Sequence, residues 1–219
     1  MAIRKRTAII IGTIIAVVII PIAVYTVSPL FLSKTVNEPA PIGGAAIKGS
    51  QNGSSSFEQF MAMSEQQRYD RGHQMSADQK EAIMKQAAQT QSAMINEGMT
   101  DSMASPQSSV VHSGTFVGVN DGIHNAEGNA KIIQLSNGAG SVLRLEDFKS
   151  TNGPDLYVYL STDKGTATDF VNLGRLKGNI GNQNYDIPKR TDLSKYDTVL
   201  IWCRAFSVLF GSAELKPSA

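Results

Sequence analysis

Residues 198–211, TVLIWCRAFSVLFG, are the stretch that most constrains how this chain can fold. Eleven of these fourteen residues are apolar or Gly, and the polar ones do not recur at helical spacing. Read with a period of two, Val199, Ile201 and Cys203 share one face, and the alternate, mostly apolar positions share the other. This pattern indicates a central strand, buried on both sides and bent or bulged after Cys203. A buried helix is the competing interpretation, but the β-branched and aromatic content and the terminal Gly211 favour a strand.

From His112 onward, short β-like runs alternate with turn residues. The runs are residues 114–119, 129–135, 141–148, 155–161, 185–188, 198–203 and 207–210. Asn, Asp, Gly and Pro cluster between them at residues 120–122, 137–138, 152–154 and 181–182. Strands at this spacing predict an all-β domain, a sandwich or barrel, and our fold prediction for residues 112–217 is an antiparallel β-sandwich.

The predicted core of this domain consists of large apolar residues of these runs. They are Leu143, Leu145, Phe148, Leu156, Val158, Leu160, Leu200, Trp202, Phe206 and Phe210. Tyr157 and Tyr159 alternate with this set along one run, so we expect their side chains to face outward or toward a loop.

The N-terminal region predicts a membrane anchor. Residues 7–32 contain no charged residue and follow Arg4, Lys5 and Arg6. About 20 helical residues cross a bilayer core, and the basic residues favour a cytoplasmic N-terminus. We therefore expect a single-pass protein of the cell membrane, held in the lipid by this helix, with its C-terminal domain outside. A cleaved signal peptide is the alternative, but this apolar run is longer than such peptides carry and offers only poor cleavage sites.

Residues 33–111 differ in composition from both neighbouring regions. They contain no Leu but seven of the eight Met residues. Residues 33–56 are rich in Pro, Gly, Ser and Asn and predict a flexible linker. Residues 57–70 and 76–97 predict helices, with Ser76 as an N-cap. Because little apolar area is available to offset the ordering entropy, we predict a helical or partly disordered stalk and a candidate surface for self-association.

Charge and composition exclude several classes of function. The formal net charge is only +1, and no region outside the short N-terminal segment carries a basic excess, so we expect no nucleic-acid partner. No Gly-rich phosphate loop occurs. The β region contains only His112 and His124, which leaves no evident Ser-His-Asp arrangement. Asp155 and Asp186 are expected at turns and on the surface rather than as a catalytic pair, and the sequence leaves enzymatic activity undecided.

Two motifs carry a resemblance to a known family. Residues 148–160 read F-x-x-x-N-G-P-D-L-x-V-Y-L, and residues 201–206 read I-W-C-x-x-F. In these blocks and in their order, residues 112–217 resemble the DM-thirteen electron-transfer domain family. The resemblance implies an all-β, extracytoplasmic module with redox chemistry at one cysteine, either as a bare thiol or as a ligand of a prosthetic group. By position, that cysteine corresponds to Cys203 and a family histidine near the first strand to His124.

The residues by themselves leave the role of Cys203 open. It can be a buried core residue, a thiol that is reversibly oxidised, or a ligand of non-covalent haem, with or without His124. Copper is disfavoured because a mononuclear site needs two His, a Cys and normally a Met, and no Met follows Met103. Arg204 is the adjacent cation, but on a strand it points to the opposite face.

Two functions follow from this reading. The preferred one is a membrane-anchored extracytoplasmic redox or electron-transfer module that acts through Cys203 on a redox partner protein. The alternative is a non-enzymatic extracellular binding or structural module displayed on a stalk. Trp202, Gln183 and Tyr185 are candidate pocket-lining residues in either case.

Overall fold

The computed structural model describes residues 55–218, in which helices precede a set of strands. The helices are α1 (Ser56–Met61), α2 (Glu65–Gln74), α3 (Ala77–Ala88) and α4 (Asp101–Ala104). The strands are β1 (Ser109–Thr115), β2 (Val117–Gly118), β3 (Ala126–Gln134), β4 (Ser141–Ser150), β5 (Leu156–Ser161), β6 (Phe170–Arg175), β7 (Gln183–Ile187), β8 (Thr198–Cys203), β9 (Val208–Glu214) and β10 (Lys216–Pro217).

The strands form two five-stranded antiparallel sheets. The first sheet has the order β10-β1-β3-β4-β7, and the second has the order β2-β9-β8-β5-β6. Ile132 and Leu143 of the first sheet lie in one buried cluster with Val158 and Ile201 of the second. The two sheets therefore share one core, and the predicted all-β, sandwich-like fold is confirmed.

The apolar stretch 198–211 forms two strands rather than one. β8 lies between β5 and β9, and five of its six residues are buried, as the two apolar faces predicted. The strand ends at Cys203, and the chain reverses through residues 204–207 into β9. Ser207 takes a left-handed backbone conformation in this reversal, with φ of 55°. The predicted bend after Cys203 is thus a complete turn, which makes β8 and β9 antiparallel neighbours.

The outer face of the second sheet also carries buried apolar side chains. All the predicted core residues are buried except Trp202, which is half-buried. Tyr157 and Tyr159, however, are only 4% and 2% exposed, and they form a separate cluster with Leu200. The ring of Tyr159 stacks on Phe170 with centroids 4.1 Å apart. Both tyrosines therefore lie on the outer face of the sheet, as predicted, but their side chains are buried because this face is also covered.

Serine residues begin the first three helices. Ser55, Ser64 and Ser76 each form a reciprocal capping box with the residue three positions later, so the predicted N-cap at Ser76 is confirmed. α3 ends at Ala88, whereas the sequence pattern extended this helix over residues 76–97.

These helices pack against the sandwich. Phe60, Ile83 and Met84 are at most 2% exposed and belong to the same buried cluster as the inner faces of the sheets. Met103 of α4 packs with Ile133 and a neighbouring valine on the other face of the first sheet. This corrects the prediction of a separate stalk for these residues. Their few apolar side chains cannot form a core among themselves, but the sandwich supplies the missing partners.

The predicted membrane anchor, residues 7–32, and most of the predicted linker lie outside the described residues. Within residues 55–218, no helix combines the length and the apolar character that crossing a membrane requires. The β region also begins earlier than the predicted boundary at residue 112, because β1 starts at Ser109.

Candidate functional site

Cys203, the only cysteine of the chain, is the last residue of β8. It pairs with Leu156 of β5 on one side and with Val208 of β9 on the other. Its exposure is 0%, its thiol is free, and it belongs to the main cluster between the sheets. The sulfur is therefore enclosed at the point where a central strand ends.

The surroundings of the Cys203 sulfur act on its pKa in opposite directions. Burial has the largest effect and raises the pKa to about 12. The backbone N–H of Phe206 lowers the pKa, as do those of Asp155 and Ala205, whereas the Asp155 carboxylate raises it further. The thiol is accordingly protonated near neutral pH and is a poor nucleophile in this conformation. The three backbone donors are nevertheless in place to stabilise a thiolate if burial is relieved.

Asp155 lies next to this sulfur and is itself completely buried. Its backbone carbonyl accepts a hydrogen bond from the backbone N–H of Arg204 at 3.0 Å. Its carboxylate accepts a bond from Arg204 Nε at 3.0 Å and from Arg175 Nη1 at 3.4 Å. Arg68 Nε of α2 stands 3.6 Å from the same carboxylate. A buried carboxylate needs such partners, so Asp155 joins the end of the sandwich to α2.

Glu65, the first residue of α2, forms the outer part of this cluster. Its carboxylate accepts hydrogen bonds from Arg175 Nη1 and from the hydroxyl of Tyr157, both at 2.9 Å. These two bonds lower the pKa of Glu65. Its backbone carbonyl accepts a bond from Arg204 Nη2 at 3.0 Å, and the Arg204 guanidinium lies over the Tyr157 ring. α2 is thus bound to the sandwich by both carboxylate and main-chain contacts.

Asp155 lies in a turn, as predicted, but it is completely buried rather than on the surface, and its cluster was not predicted. Asp155 directly precedes β5, and Arg204 directly follows β8. Because Leu156 pairs with Cys203 in the antiparallel register, the two charged residues must lie side by side. The N-G-P-D-L block and the Arg after the Cys were visible signals, but only the strand pairing joins them.

His124 lies in the loop between β2 and β3 and is held by Asp121. The Asp121 carboxylate lies 2.6 Å from His124 Nδ1 and accepts the backbone N–H groups of His124 and Ile123. Partial burial opposes ionisation of Asp121, but these hydrogen bonds prevail and lower its pKa to about 2. The other ring nitrogen, Nε2, is buried and has no hydrogen-bond partner within residues 55–218.

His124 and Cys203 both lie beside β9, but they do not form one ligand cluster. The His124 ring packs edge-on against Phe210 of β9, with centroids 4.9 Å apart. Cys203 pairs with Val208, two residues earlier on that strand. In the described part of the chain, no three His, Cys, Asp or Glu residues are arranged to hold a metal ion.

The three candidate pocket-lining residues lie in packed surroundings. Trp202 is half-buried in the outer cluster of the second sheet. Gln183 and Tyr185 are buried in β7, where the Tyr185 hydroxyl donates to Gln183 Oε1 at 2.8 Å. The Gln183 amide also bonds both backbone groups of Gly178, at 3.2 Å and 2.7 Å. The glutamine and tyrosine thus form a hydrogen-bonded corner.

Fold and site together define a two-sheet β domain with a buried cysteine at the end of a central strand. A scan of family models matches residues 116–215 to the family described as Electron transfer DM13. The match includes His124, Asp155 and Cys203, and it confirms for this segment the resemblance inferred from the two sequence motifs. α1 to α4, β1 and β10 lie outside the matched segment. Searches of the curated proteins and of the solved structures returned no match.

Proposed function

We propose that this protein is a membrane-anchored extracytoplasmic redox module that acts through Cys203. The observation that carries the proposal is the match of residues 116–215 to an electron-transfer family, over a segment that contains the only cysteine. Burial raises the pKa of Cys203, so this role requires that the burial be relieved, and the backbone N–H groups of Phe206, Asp155 and Ala205 would then stabilise the thiolate.

The proposed chemistry is exchange with a disulfide of a partner redox protein. The Cys203 thiolate attacks one sulfur of that disulfide, so a new S–S bond forms between Cys203 and the partner. The partner's own S–S bond breaks, and its second sulfur leaves as a thiolate with the electron pair. Because the chain has no second cysteine, a thiol of another molecule must release Cys203 from the mixed disulfide.

The family resemblance implies either a bare thiol or a ligand of a prosthetic group, and the two candidate ligands differ in how well they fit such a group. His124 is the better placed of the two, because Asp121 orients its ring and its Nε2 has no hydrogen-bond partner within residues 55–218, and binding would require this buried nitrogen to be uncovered. The sulfur of Cys203 does not fit, because the core encloses it. A non-covalent haem held by His124 would supply a one-electron iron couple.

The membrane location rests on the sequence. Residues 7–32 are uncharged and long enough to span a bilayer, and the preceding Arg4, Lys5 and Arg6 favour a cytoplasmic N-terminus. The β domain then lies outside the membrane and meets its redox partner there. The composition of residues 33–56, rich in Pro, Gly, Ser and Asn, predicts a linker between the anchor and the domain.

A specific observation favours a second function. Complete burial and a raised pKa are what a cysteine that only fills a core would show. On this alternative, the domain is a non-enzymatic binding or structural module displayed outside the cell, and Cys203 has no chemical role.

Equilibration with glutathione separates these functions. The full chain in detergent is incubated to equilibrium in buffers with a rising fraction of oxidised glutathione, and mass spectrometry measures mixed disulfide on Cys203. We expect mixed disulfide at a defined buffer ratio in the native chain and none in Cys203→Ser. The Ser variant should remain folded but lose about 1–3 kcal/mol of stability, because it places a hydroxyl in the buried site of the sulfur. A visible absorption spectrum of the same sample, compared with that of His124→Ala, detects haem.

The redox role of Cys203 fails if the native chain forms no mixed disulfide at any ratio, and the proposal of haem at His124 fails if the chain has no visible absorption. In that case Cys203→Ser should only destabilise the fold, by about 1–3 kcal/mol, because it places a hydroxyl in an apolar site.

A further inference from the structure

Two helices outside the family-matched segment lie on the turn that follows Cys203. Gly72 of α2 touches the backbone of this turn, because a Cβ on Gly72 would stand 2.2 Å from the carbonyl oxygen of Ala205. Phe60 of α1 packs against Phe206 with ring centroids 5.2 Å apart, and both are buried. Ala205 is 0% exposed. The helices therefore cover the same turn whose backbone N–H groups act on the sulfur.

Polar contacts fasten α2 to this position from both sides of the turn. His73 Nε2 lies 3.2 Å from the hydroxyl of Ser207, at the far end of the turn. Arg68 pairs with Asp155, whose backbone N–H and carboxylate both act on the Cys203 thiol. Glu65 pairs with Arg175 at the outer edge of the Asp155 cluster, where the Glu65 side chain is about half exposed. α2 thus contacts the centre of the turn at Ala205, its end at Ser207, and the neighbouring carboxylate of Asp155.

We infer that α1 and α2 form a lid that keeps Cys203 unreactive until the lid moves off the turn. The purpose of the lid rests on the proposed redox function. Whether α1 and α2 restrict access to the sulfur does not depend on that function. A side chain at Gly72 would collide with the backbone of Ala205, so it would push the lid away from the turn. The outer ion pair of Glu65 with Arg175 is exposed to solvent and holds weakly, which is suited to a lid that opens.

The opening of the lid can be measured by alkylation, which requires no redox partner. Cys203 is the only thiol, so the rate of its labelling by a small maleimide under native conditions reports its access. We expect slow labelling of the full chain in detergent. Gly72→Ala should label about tenfold faster or more, and Glu65→Gln should label faster by a smaller factor.

Matched variants separate a lid from general loosening. Gly98→Ala adds a Cβ in open space, and Glu81→Gln neutralises an exposed carboxylate on α3, so neither should change the rate. Met103→Ala removes a buried side chain from the cluster on the first sheet, away from the turn. Met103→Ala should lower the melting temperature. Compared with Gly72→Ala at equal stability, it should label more slowly.

The lid is overturned if Glu65→Gln and Gly72→Ala label at the native rate. It is also overturned if Met103→Ala labels as fast as Gly72→Ala at equal melting temperature, since access would then come from global unfolding. Faster labelling of the lid variants without any mixed disulfide in glutathione buffers supports the lid and rejects the redox function. The two failures are therefore distinguishable.

Discussion

The Asp155 carboxylate lies close to three arginine side chains of the site. Its buried carboxylate compensates the guanidinium groups of Arg204, Arg175 and Arg68, of which Arg68 is itself buried. Asp155→Asn keeps the shape but removes the compensating charge. We expect it to lower the free energy of unfolding by about 3 kcal/mol, as when one partner of a buried ion pair is removed, measured by urea unfolding.

The control for this variant is Asp186→Asn in β7. Asp186 is exposed, so its neutralisation should change the free energy of unfolding by no more than about 0.5 kcal/mol. If the two variants lost the same free energy, the carboxylate of Asp155 would have no special part in joining α2 to the sandwich.

At the scale of elements, the helices and the sandwich should unfold together. Phe60 is the single buried residue of α1, and it lies in the core cluster shared by both sheets. Phe60→Ala should lower the free energy of unfolding by about 3–5 kcal/mol, because it removes a large buried ring and leaves a cavity. Circular dichroism should show the helical and β signals melting in one transition.

The neighbouring Met61 provides the matched comparison, because it is 38% exposed on the same short helix. Met61→Ala should cost less than about 1 kcal/mol. A Phe60→Ala variant with native stability, or helices that melt well before the strands, would show that α1 to α3 are only loosely associated with the β domain.

At the scale of the whole molecule, the prediction concerns topology. Protease added to intact cells should digest the β domain and leave a short membrane fragment that contains residues 7–32, because the proposed anchor places the domain outside. Immunoblotting with an antibody to the β domain reads the result. In inverted membrane vesicles the same domain should be protected. Full protection in intact cells would reverse the proposed orientation.

Much of the sandwich could be predicted from local sequence. The two apolar faces of residues 198–203 indicated a central strand, and β8 is one. The N-cap predicted at Ser76 is a true helix start, and the resemblance carried by the two motifs agrees with the family model that matches residues 116–215. These features depend on residues close together in the chain, where periodicity and side-chain type determine the backbone.

Tertiary structure alone decided what surrounds Cys203. The sequence predicted burial of this residue, but it could not show that Arg68 and Glu65 of α2 meet Asp155 and Arg204 from more than 80 residues away. Helix periodicity reports which side chains are apolar and does not report which surface covers them. Antiparallel register and the packing of α2 on the turn create this site, and both arise from long-range contacts that no local pattern contains.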